Sequence, residues 1–428
     1  MPISVHVKEA VLIPPSEPTP NHILHLSSVD SQLFVRFTFE YLLVYKPRNG
    51  LDRAAITDSL KSALGRALVP YYPLAGRVRN RADGLGLEVV CRAQGAVFIH
   101  SVSDSTVSEF DGAPRRRTQW RKFLSLQVAD ALMGAPPVVV QLTWLSDGAA
   151  TLAVGFNHCL CDGIGSGEFL NSFAHLATGK CGLSELDPKP TWGRHLLDTT
   201  SFGSSRIRNP STHPEFRPVP DLCGFNSRFI QERLTPTSIT FDESKLKELK
   251  KLTNSTFTSF EVLSGHVWRS WASALNLPAN QIVKLVFSVD IRRRVKPTLP
   301  SGYYGNAFVL GCAETCVREL SEKGLGYAAE LVKKAKERVG DEYVREVVEA
   351  VGPGRASVDP VGVLIMTHWS RLGLQSVDFG MGRPVQVGPL CCDKYCILLP
   401  VHDAAGGVKV KLAVPSSAVN QYLNFLKN

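Results

Sequence analysis

The chain of 428 residues lacks any apolar run on the scale of a membrane span. Its longer apolar stretches, such as Val138–Val140 and Cys396–Val401, fall far short of the roughly 20 residues a helix needs to cross a bilayer. The start, Met1-Pro-Ile-Ser-Val-His6, has no basic stretch followed by an apolar core, so no secretory leader is expected. The end, Phe425-Leu-Lys-Asn428, is neither a peroxisomal nor an endoplasmic-reticulum address. Ten cysteines are too few for a disulfide scaffold of this length. Their clusters, Cys159-x-Cys161, Cys312-x3-Cys316 and Cys391-Cys392-x3-Cys396, contain no Cys-x2-Cys pair, so no metal site is expected. Buried thiols in a reducing cytoplasm are the expectation.

Several catalytic signatures are missing too. There is no phosphate-binding Gly-Lys-Ser/Thr loop and no His-Glu-x2-His. In Gly163-Ile-Gly165-Ser-Gly167-Glu168, a glutamate stands where a dinucleotide fingerprint needs its third glycine. Ser166 has Ile164 and Glu168 two residues to either side, so it forms no nucleophile elbow. Lys and Arg number 48 against 39 Asp and Glu, a net charge of +9. The densest basic run, Arg115-Arg-Arg-Thr-Gln-Trp-Arg-Lys122, comes without zinc spacing, heptads or an RNA-binding aromatic motif. It reads as a solvated loop or helix face, and no nucleic-acid partner is expected. A general positive field still favours a small polyanionic ligand.

What is present is an ordinary globular composition, 44% hydrophobic and 20% charged, at a length that suits two or three domains. Ile3–Val7 alternates like a strand. Asp52–Leu68 sets Ile56, Leu60, Ala63, Leu64 and Ala67 on one helical face. Asp83-Gly84 and Asp147-Gly148 read as hairpin turns. The second turn joins the apolar runs Val138–Leu145 and Ala150–Phe156. Phe169, Leu170, Phe173 and Leu176 then recur at helical spacing, so His158–Gly163 falls in a strand-to-helix turn. A Pro-rich stretch over 186–222, with Gly203-Ser-Ser205 inside it, reads as a crossover linking residues 1–185 to residues 223–428. Ser227–Ile230 looks strand-like. Thr258-Ser-Phe-Glu261 has capping-box spacing and opens a helix to about Leu275. Ile282–Val289 reads as a strand, and Gly324–Val351 as one long amphipathic helix. Tyr395–Val401 and Val408–Val414 flank a turn, and Ser417–Leu426 is a terminal helix. Strands and helices mix in both halves, which predicts an α/β or α+β enzyme of two domains.

Three constellations carry chemistry. In His158-Cys-Leu-Cys-Asp162-Gly163, the imidazole is a natural general base near neutral pH. Asp162 either orients the ring or holds the loop from behind, and Gly163 is read as permitting a backbone angle closed to other residues. On spacing alone, a satisfied histidine beside a helix start fits equally well. Asp378-Phe-Gly-Met-Gly-Arg-Pro384 reads first as a tight structural turn. Asp290-Ile-Arg-Arg-Arg294, followed by Gly302-Tyr-Tyr-Gly-Asn306, is either an anion site or a salt-bridge node.

In their order and spacing, these motifs resemble the plant BAHD acyltransferases, which use acyl-CoA donors. The likeness includes Tyr72-Pro-Leu-Ala-Gly-Arg77, His158-x3-Asp162-Gly163, Gly265-His-Val-Trp268, Asp290-x-Arg292-x-Arg294, Gly302-Tyr-Tyr-Gly-Asn306, Thr367-His-Trp369 and Asp378-Phe-Gly-Met-Gly382, and it spans essentially the whole chain. The resemblance implies two domains of the chloramphenicol-acetyltransferase type with a solvent channel between them and His158 within it as the base. It implies that Asp162 pairs with an arginine, most simply Arg292, and that Thr258 and Ser259 contact CoA. It places Trp369 to steady the oxyanion and Thr367 near the acceptor, and it gives Asp378, Gly380 and Gly382, near the CoA side, structural roles, as it does Gly163. No cofactor is expected to be held tightly. The resemblance implies acyl-CoA, with a hydroxycinnamoyl or other aromatic acyl group, as the co-substrate and a small alcohol or amine as the partner. A cytoplasmic monomer is expected. Two departures stand out: Met381 replaces the usual tryptophan, and His368 replaces the usual serine. Met381 motivates a second reading, a non-catalytic partner in acyl-chain elongation. A thioester hydrolase, with water as acceptor, is a third.

Overall fold

The computed structural model describes residues 3–112, 114–128, 131–198, 213–253, 256–352, 356–391, 393, 395–401 and 406–427. In chain order its strands are β1 (Val5–Ile13), β2 (His22–His25), β3 (Thr38–Tyr45), β4 (Arg77–Asn80), β5 (Leu87–Cys91), β6 (Ala96–Ser103), β7 (Val138–Leu145) and β8 (Ala150–Asn157). They continue with β9 (Leu234–Phe241), β10 (Ile282–Asp290), β11 (Phe308–Cys316), β12 (Val363–His368), β13 (Gln386–Pro389), β14 (Cys396–Pro400) and β15 (Val408–Pro415).

Two six-stranded mixed sheets form, ordered β1-β6-β7-β8-β3-β13 and β11-β10-β12-β14-β15-β9, beside a small β2-β5-β4 sheet. The first sheet is covered on both faces, so β7 and β8 are buried at every position. The alternation of β3 divides its side chains. Tyr41, Leu43 and Tyr45 enter a core shared with helices Arg53–Ala67 and Gly163–Ala177. Leu42 and Val44 enter a second layer capped by Phe110, Trp120 and Phe123. Trp120 and Phe123 thereby anchor the basic run, whose Arg117 and Arg121 pair with Asp393 and Glu40. Only part of that run is the solvated face expected of it.

The second sheet carries helices Ser259–Ala274, Gly324–Arg338 and Val419–Lys427 over a core centred on Trp268 and Trp271. Gly265 lets two of these helices touch, because a Cβ there would meet the Ala329 backbone nitrogen at 3.0 Å. Each large side chain buried in these cores contributes about 1.5–3 kcal/mol.

Leu186 packs in the first core and Leu197 in the second, so the chain passes between them within a dozen residues. Gly203-Ser-Ser205 and Pro210 of the Pro-rich stretch lie outside the described residues. Strand β13 returns to the first sheet and pairs antiparallel with β3. No sequence pattern marked it.

Two local expectations are corrected. Ser227–Ile230 lies in a helix, Phe225–Gln231. The Asp221 carboxylate accepts the amides of Cys223 and Phe225 and starts that helix, which four residues of alternation did not reveal. The pattern over 324–351 is two helices, Gly324–Arg338 and Asp341–Val351, broken at Val339-Gly340. Val339 is extended there, with φ −72° and ψ 95°. Among the described residues no helix is long and apolar enough to cross a membrane.

Candidate active site

His158 follows the last residue of β8, where its backbone amide donates to the Phe37 carbonyl at 2.9 Å. The chain then turns tightly: Asn157 accepts the Cys159 amide at 3.0 Å and donates to the Ala131 carbonyl at 2.8 Å. The half-buried imidazole stands among Phe37, Phe39 and Phe308, with ring centroids at 5.2, 4.6 and 5.8 Å. Nδ1 lies 3.0 Å from Asn306 Oδ1. Burial in this apolar setting lowers the His158 pKa, against smaller opposing effects of a backbone hydrogen bond, Asp162 and Asn306. The ring is therefore neutral at pH 7.

Asp162 caps the next helix through a 2.8 Å bond from the Gly165 amide. The same carboxylate accepts the Ala307 amide at 3.0 Å and both arms of Arg292 at 2.9 Å. Burial alone raises a carboxyl pKa, but Arg292 and the amide bonds overcome it and hold Asp162 below the usual range. No hydrogen bond joins Asp162 to the His158 ring. Of the two readings of the arginine run, this geometry is a salt-bridge node, since Arg292 also pairs with Asp290 and donates to the Tyr303 and Gly305 carbonyls.

The glycines of the next helix have a spatial cause. A Cβ on Gly163 would meet Leu372 at 3.2 Å, one on Gly165 would land on the Tyr304 carbonyl, and one on Gly167 on the Leu372 carbonyl. Gly163 has no positive φ, so the backbone freedom expected of it is not what the site uses. The helix must instead press against loops of the C-terminal half. Glu168, farther along, is pushed up to about 7 by burial. It lines a cleft of about 500 Å³ with His175, Cys181 and Arg371, apart from His158.

The remaining expected residues fall in two groups. Asp378 Oδ1 accepts the Gly380 and Gly382 amides at 2.8 and 2.9 Å, and both glycines have φ near +90° (+89° and +87°). Phe379 packs on Phe173 of the helix after His158. Met381 is 5% exposed in the N-terminal core. Trp369 lies against Tyr41 at 4.9 Å, Tyr41 against Phe39, and Phe39 against His158, an aromatic chain that joins the two expected catalytic residues. Thr367 is half-buried on β12 opposite Ile397. Thr258 and Ser259 lie apart, at the start of helix Ser259–Ala274, where Thr258 closes its capping box with Glu261. Phe260 bridges from there to His368 at 5.7 Å.

Sequence reasoning quoted Asn306 only within a motif and passed over Asp30 and Arg194. Asn306 donates to Asp30 Oδ1 at 2.8 Å, and Asp30 pairs with Arg194 at 3.0 Å. Gly305 belongs to the same cluster, because a Cβ there would land on the Arg194 guanidinium.

A family model described as the Transferase family matches residues 3–424. The chain belongs to this family, the BAHD acyltransferases. Among its relatives, the omega-hydroxypalmitate O-feruloyl transferase of Arabidopsis thaliana is 32% identical, over 98% of this chain and 92% of that protein. The fatty alcohol:caffeoyl-CoA acyltransferase of the same plant is 32% identical, over 97% of this chain and 96% of that protein. The structure of F. graminearum TRI101 complexed with coenzyme A and T-2 mycotoxin superposes with a TM-score of 0.79 at 15% identity, over 94% of this chain and 96% of that one. As a BAHD family member the chain is an acyl-CoA-dependent acyltransferase, and its fold is the two-domain, chloramphenicol-acetyltransferase-like α/β architecture.

Proposed function

We propose that the chain transfers an aromatic acyl group from its CoA thioester to an aliphatic alcohol in one ternary complex, without an acyl-enzyme. His158 is the general base. The observation that carries this reading is the imidazole tied through Nδ1 to Asn306 and set among Phe37, Phe39 and Phe308, where burial lowers its pKa. In the reaction, Nε2 takes the proton of the acceptor hydroxyl as its oxygen attacks the thioester carbonyl. The tetrahedral oxyanion collapses, the C–S bond breaks, and the imidazolium returns the proton to the thiolate. The products are an ester and free CoA. Proton transfer of this kind contributes roughly 10²–10⁴ in rate, and an oriented donor at the oxyanion a further ~10²–10³. Trp369 is read as that donor; among the described residues no acceptor is bonded to its indole N–H.

The aromatic donor is supported by the phenylalanine rings around His158 and by relatives named for feruloyl and caffeoyl groups. Relatives named for omega-hydroxypalmitate and fatty alcohol support a long aliphatic alcohol as acceptor. Thr258 and Ser259, at an exposed helix start, are read as CoA contacts and Thr367 as an acceptor contact.

The test is purified protein with a panel of aromatic acyl-CoAs and alcohols of graded chain length, with His158→Ala alongside, and mass detection of ester and free CoA. The expected result is ester formed by the wild type and at least a hundredfold less by the variant. Free CoA without ester points to hydrolysis, and binding without turnover points to a non-catalytic partner.

A further inference from the structure

We infer that Asp30, clamped by the buried Arg194, is a positioning residue that fixes the tautomer of His158 through the Asn306 amide. The inference rests on reading His158 as the base, and it begins with the donors and acceptors around Asn306. One end of that fully buried amide lies 2.8 Å from Asp30 Oδ1 and 2.7 Å from the His158 carbonyl oxygen. A carboxylate and a carbonyl only accept, so this end is the NH2. The other end is then the oxygen, which also only accepts, and it faces His158 Nδ1 at 3.0 Å. The hydrogen bond exists only if Nδ1 carries the proton. Nε2 is left with its lone pair, the form that takes a proton from an acceptor hydroxyl.

A flipped amide would turn its carbonyl toward two acceptors and its NH2 toward Nδ1, favouring the opposite tautomer. The His158 carbonyl and Asp30 oppose the flip together, and Asp30 is the side chain among them. Its Oδ1 accepts both the backbone amide and the side-chain NH2 of Asn306, at 3.0 and 2.8 Å. Its Oδ2 accepts the Ser27 hydroxyl at 2.7 Å and lies 3.0 Å from Arg194 Nε. Asp30 is 0% exposed and Arg194 1%, so neither charge is screened by water. The guanidinium donates to the Leu160 carbonyl at 2.7 Å and packs over Trp192 at 4.1 Å, which leaves it one place to sit. Three distant pieces of chain meet here: the short helix Ser28–Ser31, the start of the Pro-rich stretch, and the loop after β10. Their geometry converges on one ring nitrogen.

The experiment uses the full chain with ¹⁵N-labelled histidine. The His158 resonances are assigned by comparison with His158→Gln, and kcat and KM are measured alongside. The wild type is expected to show a protonated Nδ1 and an unprotonated Nε2 at neutral pH. Asp30→Asn is expected to give mixed tautomers and to lower kcat roughly 10–100-fold with KM for acyl-CoA little changed. Asn306→Ala, which keeps the Asp30–Arg194 pair, is expected to do the same. An Nε2–H tautomer in the wild type overturns the inference, and that spectrum needs no variant to fold. So does an Asp30→Asn protein that folds and keeps both the wild-type spectrum and the wild-type kcat. Full activity in His158→Gln would instead defeat the base reading, which the tautomer measurement, made without turnover, does not address.

Discussion

Asp162 and Arg292 meet across the two halves of the chain in a two-armed fork, each arm at 2.9 Å, and the fork turns the carboxylate of the histidine motif into a structural clamp. The carboxylate also caps a helix and holds the Ala307 amide beside Asn306. Asp162→Ala leaves Arg292 without its buried partner. The expected loss is about 3–5 kcal/mol in chemical denaturation, with activity per folded molecule falling less than activity per milligram. Arg292→Lys keeps the charge, loses the fork and is expected to fall between. A variant with wild-type stability and no turnover would return Asp162 to a role in the chemistry.

The pH dependence follows from burial. His158 titrates below its ordinary range, so the acid limb of kcat/KM is expected below pH 6.5, with a plateau through neutrality. A limb at or above pH 7 would contradict it.

His368 is lowered too, to about 4, first by burial and then by Arg371. Its folded pKa lies below its unfolded value near 6.5, so protonation favours the unfolded chain. Its contribution to stability is complete above about pH 6.5 and is lost as pH falls toward 4, on the order of 3 kcal/mol in all. His368→Asn is expected to flatten the fall in urea midpoint between pH 7 and pH 5, relative to wild type.

How far these features could be read in advance depended on their range along the chain. The apolar face over Asp52–Leu68, the Thr258–Glu261 box and the hairpin at Asp147-Gly148 were legible because each is settled by residues close together in the chain. The break at Val339-Gly340 was not, because the apolar stripe runs through both helices and only the backbone turns. His158 was visible as a motif, and its partner Asn306 stood in another quoted motif, yet nothing in either pattern joins them. Asp30 lies 276 positions from Asn306 and follows an unremarked serine pair, so its contact exists only once the two sheets are built. The glycines at 163, 165 and 167 were legible as a cluster but not as a cause, since the atoms they make room for belong to Tyr304 and Leu372.

The loop at Asp378 gives a graded test. Gly380 and Gly382 both hold positive φ, so alanine at either is expected to cost about 1–2 kcal/mol. Gly380→Ala is expected to be the worse, because its Cβ would also meet Ile56 at 3.0 Å while Gly382 faces open space. Met381 is enclosed in the core, so Met381→Trp is expected to overpack it by about 1–3 kcal/mol rather than restore anything. Denaturation midpoints of the three variants decide the order.

Trp369 separates packing from catalysis most cleanly. Its ring rests on Tyr41, whose hydroxyl is bonded to Ser166 at 2.8 Å on the helix that Asp162 caps. Removing the ring disturbs that helix as well as any oxyanion contact, so Trp369→Ala alone decides little. Trp369→Phe keeps an aromatic face against Tyr41 while it removes the indole N–H together with one ring's bulk. If that N–H steadies the oxyanion, kcat is expected to fall by roughly 10²–10³ while KM and the unfolding midpoint stay near wild type. If Trp369 acts only through Tyr41, Trp369→Phe is expected to be nearly silent and Trp369→Ala to lower stability and turnover together. The split between kcat and midpoint across the two variants assigns the role.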